Sequence, residues 1–170
     1  PPPAQATLNV RGLGTFTPHM DALLSEHPAN VYVLTETKLG YKDLMGSPDN
    51  RETLRAYCVL RSVAADRAKA GVMMLIRKTL FPLDSLDNTT NKLPGSLQGH
   101  YLRARARTIL GHEIQLIGVY CPNPTDAEAT QTRAAVLAQL AKDAEVKATI
   151  ACSDFNAAMY PSDRPNDRDA

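Results

Sequence analysis

Ala148-Thr149-Ile150-Ala151-Cys152 is an apolar run of strand length that ends in Ser153-Asp154-Phe155-Asn156. The one-residue spacing of Asp154 and Asn156 turns both side chains to the same side of an extended chain, toward a shared target, although Asx residues also stop strands by bonding their own backbone. The pattern recurs upstream. Ala6 to Val10 reads as a strand with Asn9 near its end, Asn30 to Leu34 as one that runs into Thr35-Glu36-Thr37-Lys38, and Ile114 to Tyr120 as one that runs into Cys121-Pro122-Asn123. Open α/β sheets collect function at strand ends. The expected fold class is therefore α/β, with a polar cluster where these strands stop.

The intervening segments read as follows. Arg11-Gly12-Leu13-Gly14 is turn punctuation, and a helix should follow, with Thr17 as cap, Pro18 in the first turn, Met20, Leu23 and Leu24 as its apolar face, and Pro28 as its stop. Residues 40–55 are polar and turn-rich, and Ala56 to Ser62 reads as a strand. Gly71 to Ile76 is a continuous apolar run suited to burial on both faces. Residues 82–99 read as a long loop. Tyr101 to Ile109 then alternates, with Leu102, Ala104 and Ala106 on one face and Arg103, Arg105 and Arg107 on the other, and Gly111-His112 turns it into the next strand. Thr125-Asp126-Ala127-Glu128 has capping-box spacing for a helix that Val136, Leu137 and Leu140 carry to about Lys142.

The 170 residues suit one domain, which at that length buries roughly 70% of its unfolded surface. With 44% apolar and 22% charged residues, the composition excludes wholesale disorder and a collagen-like repeat. No apolar run reaches the roughly 20 residues of a membrane span. A net charge of +1 advertises no broad field for nucleic acid, so any DNA contact must be local. Cys58, Cys121 and Cys152 form neither a disulfide framework nor a Cys-x-x-Cys zinc site; an intracellular, reducing compartment fits best. The start at Pro1-Pro2-Pro3, without Met or leader, suggests a piece of something longer.

Two carboxylates among neutral amides and a phenol describe a hard-cation site, because magnesium takes one or two carboxylates and leaves other positions to water and phosphate oxygens. Phosphate-ester hydrolysis follows, with the ion neutralising charge on the phosphorus oxygens and a carboxylate positioning or deprotonating the attacking water. Plainer readings stand beside this one. Asn9 and Asn123 adjoin Gly or Pro turns, Tyr120 suits any strand, and the arginine stripe reads as a wetted face more readily than as a track for DNA phosphates. His19, His27, His100 and His112 show no metal spacing, and Cys121 and Cys152 read as small buried apolar groups.

The ordered set resembles the endonuclease/exonuclease/phosphatase superfamily of metal-dependent phosphodiesterases. Leu8-Asn9-Val10-Arg11-Gly12-Leu13 is similar to its Asn-x-x-Gly-Leu motif, and Leu34-Thr35-Glu36-Thr37-Lys38-Leu39 to its Glu-Thr metal motif. Ala70-Gly71-Val72 resembles its Gly-Val core strand, Val119-Tyr120-Cys121-Pro122-Asn123 its Tyr-x-Pro-Asn motif, and Cys152-Ser153-Asp154-Phe155-Asn156 its Gly-Asp-Phe-Asn motif. The short Glu-Thr-Lys-Leu form looks most similar to the apurinic-type endonuclease domain of LINE-type retrotransposons.

The resemblance implies a four-layered α/β sandwich of the DNase I-like type, incomplete at its C-terminus: a leader over 1–7, the domain over 8–160 and a polar tail over 161–170. It implies Glu36 as principal ligand of Mg2+ (Mn2+ as a substitute) with Asn9 beside metal and phosphate. Asp154 would orient or activate the water, Asn156 would hold the water or the scissile phosphate, and Tyr120 and Asn123 would contact phosphate oxygens. Three departures stand out: Arg11 where repair-type relatives often carry an acid, Cys152-Ser153 in place of small glycines, and no Asp-His pair where the family closes on Ser-Asp-His. The expected function is magnesium-dependent nicking of DNA by a retroelement reverse-transcriptase polyprotein, acting in the nucleus. The rivals are a phosphatase of the same fold and a catalytically incomplete remnant with a structural or protein-binding role. The expected partners are DNA and the rest of a longer polypeptide, or a partner chain that completes the fold.

Overall fold

The computed structural model describes residues 4–38, 52–64 and 70–156. The start of the proline-rich leader, most of the turn-rich stretch over 40–55 and the polar segment 161–170 lie outside the described residues. Two four-stranded sheets stack face to face. The first runs β1 (Gln5–Asn9), β2 (Val31–Thr35), β4 (Val72–Arg77), β3 (Tyr57–Ser62), with β1 and β2 parallel and the other pairs antiparallel. The second runs β5 (Asp87–Asn88), β6 (Tyr101–Arg107), β7 (Glu113–Tyr120), β8 (Thr149–Asp154), in which a β6–β7 hairpin is joined by a parallel β8.

The period of two in a strand sorts the apolar residues into layers. On β4, Val72, Met74 and Ile76 face the second sheet, where they meet Leu102, Leu116 and Cys152. Met73 and Leu75 face the other way, onto Met20 and Leu24 of α1 (Leu13–Glu26). The unbroken apolar run is thus explained by cover on both faces. β2 is buried throughout for the same reason, Val31 and Val33 inward and Tyr32 and Leu34 toward α1. On the outer face of the second sheet, Tyr101, Ile117 and Val119 pack against Val136 of α2 (Ala127–Ala144). Helix, sheet, sheet and helix make the four layers. Each fully buried aliphatic side chain contributes about 1.5–3 kcal/mol.

Gly118 sets the gap between the sheets. A Cβ there would meet Cγ1 of Val72 at 3.0 Å and Cγ1 of Val33 at 3.1 Å, both on the opposite sheet. A buried polar knot ties α2 to its sheet. Asp143, 5% exposed, accepts from the Tyr101 hydroxyl at 2.9 Å, the Arg103 guanidinium at 2.8 Å and Gln139 Nε2 at 3.1 Å. An ion pair buried this deeply is costly unless further hydrogen bonds support both partners; here the Tyr101 hydroxyl and Gln139 serve Asp143, and Arg103 Nε donates to Thr89 Oγ1 at 3.0 Å. Arg103 therefore leaves the wetted stripe, whereas Arg105 and Arg107 stay exposed.

Several boundaries differ from the sequence reading. α1 starts at Leu13 behind Gly12, ahead of Thr17, so Pro18 lies in its second turn. Proline's fixed φ is itself helical, so Pro18 can lie inside the helix, at the loss of the N–H that would otherwise bond the Gly14 carbonyl. α2 is capped by Asp126, whose carboxylate accepts from Ala129 N at 2.8 Å, one residue past Thr125. Its apolar face is Ala135, Val136 and Leu140, and Leu137 is 40% exposed. The stretch 82–99 is three short 3-10 turns around β5.

Candidate active site

Parallel register delivers the site residues in pairs. β1 against β2 sets Asn9 opposite Thr35, one residue before Glu36, and β7 against β8 sets Tyr120 opposite Asp154. Stacking the sheets brings the two pairs together. Asn9 Nδ2 donates to Glu36 Oε1 at 2.8 Å and to Asp154 Oδ2 at 2.8 Å, so one amide nitrogen spans carboxylates from both sheets. Its orientation is fixed from behind, because the Arg11 N–H donates to Asn9 Oδ1 at 3.0 Å. The Tyr120 hydroxyl donates to Glu36 Oε1 at 3.2 Å, and Thr35 Oγ1, fully buried, donates to Asp154 Oδ2 at 3.4 Å.

Asn156 closes the far side. Its N–H donates to Asp154 Oδ1 at 3.1 Å and its Nδ2 to the Cys121 carbonyl at 2.9 Å, which links the loop after β8 to the loop after β7. Asn123 stands exposed further along that loop, its carbonyl accepting from Thr125 N at 2.8 Å. The structure thus joins Asn9, Glu36, Tyr120 and Asp154 through side chains, and Asn156 both through its N–H on Asp154 and through its side chain on the Tyr120 hydroxyl; no hydrogen bond to the cluster from Asn123 is found among the described residues.

The backbone around the cluster is unusual. Arg11 (φ 48°), Glu36 (φ 53°), Lys38 (φ 52°) and Asn156 (φ 44°) all lie in the left-handed region without being glycine. Such residues cost of order 1–3 kcal/mol each and persist where surrounding structure dictates them. For the Glu36 loop the dictating element is Ala70-Gly71, whose carbonyls accept from Lys38 N at 3.0 Å and Thr37 N at 3.1 Å. Gly71 itself has φ 125°, and a Cβ there would fall 2.3 Å from Thr37 Oγ1. Only glycine fits.

The electrostatics favour a cation. Two half-buried carboxylates share one small volume, and the ion pair formed there among the described residues is Lys38 Nζ with Glu36 Oε2, at 3.7 Å. Burial, the Glu36 charge and the hydrogen bond to it push the Tyr120 phenol up to about 12, so it remains a neutral donor. Hard oxygen donors carrying net negative charge suit magnesium or manganese. Among the described residues no group of three or more His, Cys, Asp or Glu is placed to hold a metal ion, so an ion here would rest on the two carboxylates, with neutral oxygens and water filling its other positions. Asn9 meets the carboxylates with its nitrogen, so an oxygen contact from Asn9 to an ion requires the amide to turn over and release the Arg11 N–H.

Some neighbours escaped the sequence reading. The His100 ring stacks on Tyr120 at 5.7 Å with a 13° interplanar angle, and its Nδ1 lies 3.3 Å from the Tyr120 carbonyl. Burial lowers its pKa. Aligning the β6–β7 hairpin, with Tyr101 opposite Val119, would have placed His100 beside Tyr120. Thr35 was hidden as one more β-branched strand residue. Cys121 and Cys152 are buried, and burial pushes both thiols up, away from the reactive thiolate.

No family model matches the chain, and no curated protein sequence does. Solved structures do. A Neisseria 3′ phosphatase, NExo, bound to product DNA hairpin superposes with TM-score 0.66 at 18% identity, covering 92% of this chain and 58% of its own. The Xenopus laevis APE2 catalytic domain gives 0.63 at 19% identity, covering 92% and 59%. A Bacteroides thetaiotaomicron protein of the endonuclease/exonuclease/phosphatase family gives 0.61 at 14% identity, covering 94% and 65%. The fold is therefore the DNase I-like sandwich of that superfamily, and the chain spans about three fifths of the length of these structures.

Proposed function

We propose that the chain carries the site of a divalent-metal-dependent phosphodiesterase that nicks DNA, as the endonuclease domain of a retroelement polyprotein working in the nucleus. The observation that supports this most is the Asn9 amide, which holds carboxylates from the two sheets on one nitrogen. The domain would span residues 8–160. Glu36 would hold Mg2+, or Mn2+ in its place, with Asn9 alongside. The ion, when bound, supplies charge neutralisation at the phosphorus oxygens and leaving group.

This chain's own groups do the rest. Asp154 orients the attacking water and takes its proton; the Asn156 N–H on Oδ1 and the Thr35 hydroxyl on Oδ2 fix the carboxylate for that task. Tyr120, protonated up to about pH 12, offers its hydroxyl to a phosphate oxygen once Glu36 turns to the ion. The Asn156 side chain steadies the water or the phosphate, and exposed Asn123 contacts the strand beside the scissile bond. The LINE-type context rests on the Glu36-Thr37-Lys38-Leu39 wording.

A phosphatase reading has its own support in the likeness to the Neisseria 3′ phosphatase. The test is nicking of supercoiled plasmid with magnesium by the unaltered chain, Glu36→Ala and Asp154→Ala, beside release of phosphate from a 3′-phosphorylated hairpin. Equal nicking by all three proteins defeats the site. Phosphate release without nicking selects the phosphatase, and neither activity from folded protein selects the remnant.

A further inference from the structure

From α2 a single guanidinium reaches both loops of the site. Arg133 Nη1 donates to the Phe155 carbonyl at 2.7 Å and to the Pro122 carbonyl at 3.3 Å, 22 and 11 residues away in sequence. Pro122 lies between Tyr120 and Asn123 in the loop after β7; Phe155 lies between Asp154 and Asn156 in the loop after β8. Both segments leave their strands at these points, where sheet hydrogen bonds no longer hold them. Two other contacts join the same loops: Cys121 N donates to the Asp154 carbonyl at 2.9 Å, and Asn156 Nδ2 donates to the Cys121 carbonyl. Arg133 is the tie from outside the loops, and its own anchor is firm. Val136, one turn on, is fully buried, and Asp143 at the helix end is locked to Tyr101 and Arg103.

We infer that Arg133 is a positioning residue: it fixes the loops that carry Asp154, Asn156 and Asn123 against helix α2 and touches no substrate itself. The inference deepens the phosphodiesterase reading and rests on it for its catalytic consequence. The chemistry suits the task. A guanidinium carries its donors in a rigid plane, so it satisfies two carbonyls from separate loops at little entropic cost. Releasing it leaves both carbonyls to solvent and frees Phe155, between the catalytic carboxylate and its supporting amide. A shift of about 1 Å at reacting groups lowers turnover by roughly 100-fold.

The test uses the full 170-residue chain with Arg133→Met, which keeps the stem and removes every donor, and Arg133→Lys, which keeps the charge and some donors. Amide exchange read by NMR should quicken about 10- to 100-fold at Cys121 and Asn156 in Arg133→Met, with Met73, Met74 and Leu75 of β4 unchanged. In the nicking assay kcat should fall by about 100-fold with KM little altered, and Arg133→Lys should restore part of both losses. Unchanged exchange at Cys121 and Asn156 overturns the inference, as does equal quickening in β4, which would make Arg133 a general stabilising contact. Should Arg133→Met fail to fold, Arg133→Gln, too short to reach both carbonyls, takes the same readouts. Exchange needs no substrate. Loss of loop protection in a protein whose parent cuts no DNA would therefore uphold the clamp while defeating the nuclease reading.

Discussion

Asn9 and Asp154, 145 residues apart in sequence and in different sheets, meet through a 2.8 Å hydrogen bond, and the same Asn9 nitrogen also holds Glu36. The amide keeps two like charges apart while drawing both toward one point. Removing it should cost more without a cation than with one. Asn9→Ala should lower stability by about 1–3 kcal/mol in chelator, from two carboxylates left without their donor, and magnesium or manganese should recover part of the loss. Thermal melts with and without metal decide it. A loss of equal size in both conditions would mean that no ion settles between the carboxylates.

Glu36→Gln and Asp154→Asn remove charge and keep shape. Each should lower nicking on the order of 10²- to 10³-fold while changing the stability of the metal-free protein by no more than about 1 kcal/mol, since shape and an acceptor oxygen are kept. Calorimetry beside plasmid nicking separates the two effects. Marked destabilisation by either variant would recast these carboxylates as structural.

Gly71→Ala places a methyl where Thr37 Oγ1 stands, at a φ of 125°. We expect a loss of about 1–3 kcal/mol in urea unfolding and a weaker apparent affinity for magnesium, because the Glu36 turn hangs on the Ala70 and Gly71 carbonyls. An unaltered magnesium titration in a destabilised protein would show that Glu36 holds its place without that strap.

Tyr120 lends stability of definite pH range. Its folded pKa is raised from 10 to about 12, so the unfolded chain loses this proton first; the contribution is complete below pH 10 and disappears as pH rises toward 12. Tyr32 and Tyr101 are raised as well, both chiefly by burial, so the informative quantity is the difference between the parent and Tyr120→Phe. That difference should shrink between pH 10 and 12 in denaturant melts. A constant difference would place the Tyr120 hydroxyl outside the protected cluster.

For His100 the sign reverses. Burial lowers its pKa, so below its ordinary 6.5 the unfolded chain takes up a proton that the folded chain refuses, and stability falls with pH. His100→Phe keeps a ring against Tyr120 and removes the titration. Its melting temperature should decline less than that of the parent between pH 7 and pH 5; parallel curves would contradict the assignment.

Glu36, Tyr120 and Asp154 were legible because each ends a strand, and the end of a strand is marked locally by a change from apolar to polar residues. The sandwich was legible in Gly71 to Ile76, since an unbroken apolar run needs cover on two faces. What stayed hidden was relational. Thr35 and His100 acquire their places from register across strand pairs, and Arg133 from the distance between a helix and two loops; none leaves a mark in its own stretch of sequence. The start of α1 at Leu13 is not marked locally, because Thr17-Pro18 carries the stronger start signal and lies one turn inside the helix. Asn123 shows the converse: a motif position can be plain in sequence while, among the described residues, no hydrogen bond ties its side chain to the cluster.

Gly118 lies two residues before Tyr120 on β7 and faces Val33 and Val72 across the interior. The reach of Tyr120 to Glu36 is thus metered by a spacer one hydrogen atom thick. A methyl there would ask the two valines to yield by a few tenths of an ångström, and a bulky side chain would act as a wedge between the two halves on which the carboxylates ride, felt as lost alignment before it was felt as lost fold.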